Sequence, residues 1–255
     1  PFNLSVNEDC GMLVEGFESQ PAILTSHAPP WAGDLLETCG YRKAMDLYAF
    51  RMRPDDTPDQ IHRLAQLASR SGRVRIRNLE MSRFREEVAL ACEIFNDAWS
   101  ENWGFVPFAQ AEIQSLARDL RPILRSKFAW FVEIDGKPSA FMVVLPDVNR
   151  LIAPFDGRLL PFNWARLAHE IWRDRWKTAR VPLMGLRKAY QKTAIGPAVL
   201  SLLVAELIQL GRGYDLDWVE FSWVLESNQP MLSLARLTAG APVKTYRLYE
   251  REISD

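Results

Sequence analysis

The stretch from residue 181 to 213 limits what this chain can fold into more than any other. Residues 181–186 form a short apolar run of β character. Gln191-Lys192-Thr193-Ala194-Ile195-Gly196 is a small-residue turn, after which Ala198, Leu202, Ala205 and Ile208 recur at helical spacing. Gly211 and Gly213 read as helix stops. A strand that ends in a tight turn and opens a helix aims several backbone N–H groups at one spot, and the helix dipole adds partial positive charge there. Such a turn can hold a phosphate. The Walker sequence needs a Gly-Lys-Ser/Thr ending and the dinucleotide fingerprint needs three glycines, and the turn has neither.

The turn resembles the acyl-CoA pyrophosphate loop of the GNAT acetyltransferase superfamily, whose pattern is Gln/Arg-x-x-Gly-x-Gly/Ala after the fourth strand. Gln191 and Gly196 match it, and Ala194 stands where the family has its first glycine. The resemblance implies an α/β (α+β) GNAT fold, a mixed, mostly antiparallel sheet flanked by helices, and acetyl-CoA or another acyl-CoA as cofactor. It places the backbone of Leu186, Arg187 and Lys188 along the pantetheine. It also places the segment Gln191, Lys192, Thr193, Ala194, Ile195 and Gly196 around the pyrophosphate. A bulky side chain at Gly196 is then expected to block the cofactor while leaving the fold intact. A second match is Glu226-Ser227-Asn228-Gln229-Pro230-Met231, in which the family's Asn opens a helix near the thiol. Asn228 is equally a good helix N-cap.

The rest of the chain follows the same order. Val74, Ile76 and Leu79 suggest a strand, and Phe84, Val88, Cys92, Phe95 and Trp99 trace one helical face. Ile113, Leu116, Ala117 and Leu120 suggest a second helix. Residues 129–134 and 139–145 flank Asp135-Gly136, a hairpin turn signal. Trp164, Leu167, Ala168, Ile171, Trp172 and Arg175 form an amphipathic insertion whose tryptophans, with Trp176, read as a packing stripe. Residues 217–224 and 244–249 read as the last two strands, with a helix from Asn228 between them.

Two segments echo one another. Pro30-Trp31 and Pro230-Met231 are each followed ten residues after the proline by a glycine, Gly40 or Gly240, and then by a strand pattern. Residues 1–53 are therefore expected to be the C-terminal part of a first GNAT-like unit. Residues 54–72 are expected to be a linker with a connector helix, and residues 73–255 a complete GNAT-like domain.

Thirty-one basic residues against 32 acidic ones leave a net charge of −1, which gives no chain-wide electrostatic case for nucleic acid or an anionic membrane. Three cysteines and three scattered histidines offer neither a disulfide framework nor metal-ligand spacing. The odd cysteine count fits free thiols in a reducing compartment, so a cytoplasmic protein is expected, and the first residues show no charged leader with an apolar core. A small-molecule or peptide amine acceptor is expected as substrate, and a homodimer is a possible assembly.

Glu220 and Glu133 lie in strand patterns where a buried carboxylate could act as general base. The Tyr that many GNAT enzymes use as acid toward the thiolate has no counterpart: Ala235 or Arg236 falls at its position, leaving Tyr246, Tyr249 or water. Trp103 and Phe105 stand where the family forms part of its acceptor site. An acyl-CoA-dependent N-acyltransferase is the function these residues imply. The alternative is a catalytically degenerate GNAT fold serving as an acyl-CoA-binding or scaffold module.

Overall fold

The structure, a computed structural model, describes residues 10–252 apart from 122 and 123. In chain order the elements are β1 (Met12–Glu15), α1 (Ala32–Thr38), β2 (Arg42–Met52), α2 (Asp59–Arg70), β3 (Val74–Asn78), α3 (Phe84–Trp99) and α4 (Gln110–Leu120). There follow β4 (Ala129–Ile134), β5 (Lys137–Pro146), α5 (Val148–Ile152), α6 (Asn163–Arg173), β6 (Thr178–Leu186) and α7 (Lys188–Gln191). The last four are α8 (Ile195–Tyr214), β7 (Trp218–Leu225), α9 (Gln229–Ala239) and β8 (Lys244–Glu250).

The chain divides into two compact units that interleave in sequence. One comprises residues 1–54, 146–180 and 211–255, and the other residues 55–145 and 181–210. This grouping cuts across a linear partition near residue 54, because residues before it pack with the last strands of the chain.

In the second unit the strand order is β6-β5-β4-β3. β3 and β5 both run antiparallel to β4, in register at Ile76↔Val132 and Phe131↔Phe141. Asp135-Gly136 makes the hairpin, both residues at positive φ, where a glycine and a short polar residue are tolerated best. α2 meets α8 through small residues, Ala65 and Ala68 against Ala198, Leu202 and Ala205, with Val74 and Ile76 of β3 packed on them. Alanine at the contact lets two helices approach closely without voids. α8 is long and apolar enough to cross a membrane by length and composition alone, and most of its apolar window is buried inside the protein. It runs through Gly211 and Gly213 rather than stopping at them. Gly211 has a packing reason: a Cβ there would lie 2.5 Å from Cγ of Pro54.

In the first unit the order is β1-β8-β2-β7, all neighbours antiparallel. β2, from the start of the chain, thus lies between the last two strands. Its register with β8 has a local two-fold. Shifting by 200 residues turns the pair Asp46↔Arg247 into Leu47↔Tyr246, and Met45↔Leu248 into Tyr48↔Thr245, and all four pairs occur. The echo in the sequence is therefore an echo in space, with β1-α1-β2 and β7-α9-β8 each contributing one of the two central strands. Asp46 and Arg247 close the register with a two-pronged ion pair at 2.9 and 3.1 Å.

Candidate functional site

The turn between β6 and α8 is held from one side by α3. Arg187 donates from its backbone N–H to the Ser139 carbonyl (2.8 Å) and from Nε to the Pro138 carbonyl (2.9 Å), and its Nη2 pairs with Glu93 (2.7 Å). The Lys188 N–H donates to Asp97 (2.9 Å) and its Nζ pairs with Glu101 (2.9 Å). Gln191 Nε2 donates to the carbonyls of Ala98 (3.0 Å) and Leu186 (2.8 Å). Glu93, Asp97 and Glu101 recur every four residues, a spacing visible in the sequence; Glu93 pairs with Arg187, Glu101 with Lys188, and Asp97 accepts from the Lys188 backbone. Two of the three expected phosphate cations are thus paired already. Lys192, exposed at the bend, adds positive potential that helps hold the Glu101 carboxyl below its ordinary range, behind the larger effect of Lys188.

The bend itself is tight. Thr193 donates to the Tyr190 carbonyl from its N–H (3.2 Å) and its hydroxyl (2.7 Å), and the Gly196 N–H donates to the Thr193 carbonyl (3.2 Å). A Cβ on Gly196 would lie 2.5 Å from the Tyr190 carbonyl oxygen. Only glycine fits, so a bulky residue at 196 cannot leave the fold untouched, contrary to the sequence expectation. Ala194 is exposed and is not among the described residues with positive φ, so its Cβ costs no strain.

Phe105 packs against Phe95 (6.0 Å between ring centroids), which also stacks on Trp99 (5.0 Å) and meets Phe108 (5.1 Å). The Trp99 indole donates to the Met184 carbonyl at 3.3 Å. Trp103 is exposed at the rim. Beneath this cluster, Cys92, Leu116, Phe141 and Leu183 help line an apolar pocket with about 30 Å³ of open space, room for a water-sized guest rather than an acyl chain. Burial pushes the Cys92 thiol up to about 11, which keeps it an unreactive apolar side chain.

The two carboxylates considered as bases are both committed to cations. Glu133 accepts from Arg77 Nε (3.2 Å), and Arg77 also makes a two-pronged pair with buried Glu87 (2.7 and 3.0 Å). Glu220 is fully buried: its Oε2 accepts from Arg51 Nε (3.1 Å) and Lys244 Nζ (3.0 Å), and its Oε1 from the Ser222 hydroxyl (3.2 Å). It faces an ion-pair hub, not a cleft. Around it, buried Arg180 donates to the Ser222 hydroxyl and carbonyl (2.9 and 3.0 Å) and to the carbonyls of Ile23 and Leu24 (2.8 and 2.6 Å). Tyr246 is buried in the same unit and pushed up to about 12, first by desolvation, so it is a poor proton source near neutrality. Asn228 caps α9, its side chain accepting from the Met231 N–H at 3.2 Å.

Burial raises the Asp147 carboxyl above its ordinary 3.8, although the Asn149 N–H and the Thr178 hydroxyl donate to it. A raised folded-state value contributes stability below the ordinary value and loses it as pH climbs through the folded one. Asp147→Asn mimics the protonated form. It is expected to raise the melting temperature near neutral pH, with the gain shrinking toward about pH 4. Melts across that range check this, and a lower Tm at neutrality would show that Lys244 depends on the Asp147 charge.

The chain has the GNAT fold, shared with a GCN5-related N-acetyltransferase from Sphaerobacter thermophilus (TM-score 0.54, 13% identity, 87% of this chain and 56% of that one). It is shared equally with a tandem GNAT protein from the clavulanic acid biosynthesis pathway (TM-score 0.52, 14% identity, 95% and 63%). No protein-family model matches the chain. Over 254 residues it is 41% identical to the bacterial ceramide synthase of Caulobacter vibrioides, covering 99% of this chain and 66% of that protein. Over 253 residues it is 38% identical to protein YghO of Escherichia coli, covering 99% and 65%. The chain spans just under two thirds of the length of these curated relatives.

Proposed function

We propose that this chain is the acyl-CoA-binding part of an N-acyltransferase whose acceptor is a long-chain amine. The observation that carries the reading is the β6–turn–α8 cradle, where Gly196 lets the backbone close on itself beneath an exposed Lys192. An anion fits there, at the head of a 20-residue helix. Within the turn the groups that would hold the cofactor narrow to the Lys192 ammonium and the backbone N–H groups of Ala194 and Ile195, since the N–H groups of Arg187, Lys188, Thr193 and Gly196 are bound to Ser139, Asp97, Tyr190 and Thr193. A bound acyl-CoA supplies an acyl group activated as a thioester. The protein's part is to fix the pyrophosphate, so that the reacting carbonyl is presented in one orientation. The acceptor class follows from the relative named for ceramide synthesis. A ceramide is the amide of a fatty acid with a long-chain amino alcohol, so its formation is an N-acylation. Residues 10–53 are in this view the end of a first GNAT-like unit, supported by the two-fold register of β2 and β8.

Titration calorimetry of the chain with acetyl-CoA and octanoyl-CoA tests the reading. Ala194→Glu puts a carboxylate on the exposed bend. It is expected to weaken binding about tenfold or more through like-charge repulsion while leaving the melting temperature unchanged. Absence of saturable binding by the unaltered chain would favour the second reading, a GNAT fold used for assembly, to which the ion-paired Glu220 and Glu133 already lend support.

A further inference from the structure

Of the three tryptophans expected to form a packing stripe, Trp176 is buried, whereas Trp164 and Trp172 are turned outward. No residue of α6 is buried, and Trp164, Ala168 and Trp172 fall at i, i+4 and i+8 on its exposed face. Trp172 is 81% exposed, and in the loop before the helix Phe162 is 78%, Leu160 75% and Leu159 50% exposed. Scattered exposed apolar residues need no explanation, but large ones clustered on one loop and one helix mark an interaction surface.

Charge identifies what the surface fits. Between residues 156 and 176 four arginines stand against three carboxylates, in a chain whose net charge is −1, while Lys177 beside them is ion-paired with Asp215. Arg158, Arg166, Arg173 and Arg175 are all exposed among the apolar side chains. A second copy of the chain docking symmetrically would set this basic patch against itself. Tryptophan, phenylalanine and leucine interleaved with arginine are the composition of helices that lie in a bilayer interface, the apolar side chains entering the acyl boundary and the cations meeting anionic headgroups.

We propose that α6 and the Leu159–Phe162 loop form a peripheral docking surface for anionic lipid bilayers. The proposal departs from the expectation drawn from chain-wide charge, which averages this patch away. It stands on the surface alone and needs no acyl-CoA, so its failure and the failure of the acyltransferase reading are separately visible. If both hold, the protein meets a long-chain amine where such a molecule resides.

The test is co-sedimentation of the full chain with vesicles of phosphatidylcholine, alone or with about one third phosphatidylglycerol, at moderate salt. The chain is expected to bind the anionic vesicles and to bind the neutral ones several-fold less. The double variant Phe162→Ser with Trp172→Ser is expected to lose about tenfold in partitioning. Its melting temperature should be unchanged, since both side chains are already in solvent. Arg158→Glu with Arg173→Glu is expected to remove the preference for anionic vesicles. Failure of the unaltered chain to bind, equal binding by the Phe162/Trp172 variant, or a dimer in sedimentation velocity that this variant dissociates would each overturn the proposal.

Discussion

Glu220→Ala is expected to cost about 3–5 kcal/mol of stability, because it breaks a buried ion pair and strands its partner. In a chain of this size that is a fall of about 6 °C or more in melting temperature. Lys244 is as buried as Glu220, and among the described residues its ammonium donates to Glu220 Oε2 (3.0 Å) and to the Gln20 carbonyl (2.9 Å). Burial, and after it the Arg51 charge, lower the Lys244 pKa from its ordinary 10.5, while the Glu220 charge and hydrogen bond hold it up. Without that carboxylate the folded-state value drops further. The unfolded chain then binds the proton over a wider window below 10.5 than the folded one does, so stability rises with pH across it. The deficit of the variant is therefore expected to shrink at alkaline pH. Glu220→Leu with Lys244→Met, which removes both charges, should recover most of the loss. Thermal melts at several pH values read all of this. If Glu220→Ala melted like the parent and lost only turnover, Glu220 would be a general base and not the hub of a buried network.

The sequence of β7 does not fix the face on which Glu220 lies. Both faces of β7 are apolar enough that alternation does not say which way a carboxylate points. The partners that settle it, Arg51 on β2 and Lys244 on β8, come from opposite ends of the chain. The insertion of β2 between β7 and β8 is nonlocal in the same sense: the helix–glycine–strand echo was legible, but no local pattern reports which strand pairs with which. Where periodicity is dense the reading was close. α3 and β4 occur where the apolar spacing placed them, and β7 is displaced by a single residue. Glycine was the less reliable signal. Gly211 costs a helix only about 1 kcal/mol relative to alanine, and its contact with Pro54 makes it necessary within α8. For α6 the amphipathic period is correct, and Trp176 packs as expected, but Trp164 and Trp172 face outward, since a period shows that a helix has an apolar face and not what covers it. The candidate turn was legible because its chemistry is local. The carboxylates that pair with Arg187 and Lys188 are less local: Glu93 lies on α3 and Glu101 just past its end, and nothing in the spacing alone says that they face this turn.

Gly196→Val is expected to abolish measurable acyl-CoA binding and to cost about 1–3 kcal/mol of stability through overpacking. The clash is with the backbone, since the nearest atom to an added Cβ is the Tyr190 carbonyl oxygen at 2.5 Å, followed by the Gln191 carbonyl at 3.3 Å. That Tyr190 oxygen already accepts from the N–H and the hydroxyl of Thr193, so it cannot swing aside without releasing the bend that presents the N-terminus of α8. A loss of binding in this variant alone would not locate the cofactor, because an unfolded turn binds nothing. Ala194→Glu separates the two causes: it sits two residues away on the same bend, in solvent and without backbone strain, so it alters potential and not packing. If both variants lose affinity and only Gly196→Val loses melting temperature, the pyrophosphate sits on the turn. If Gly196→Val melts lower yet binds acyl-CoA as the parent does, the turn is a structural joint between β6 and α8, and the cofactor, if one is used, is held elsewhere.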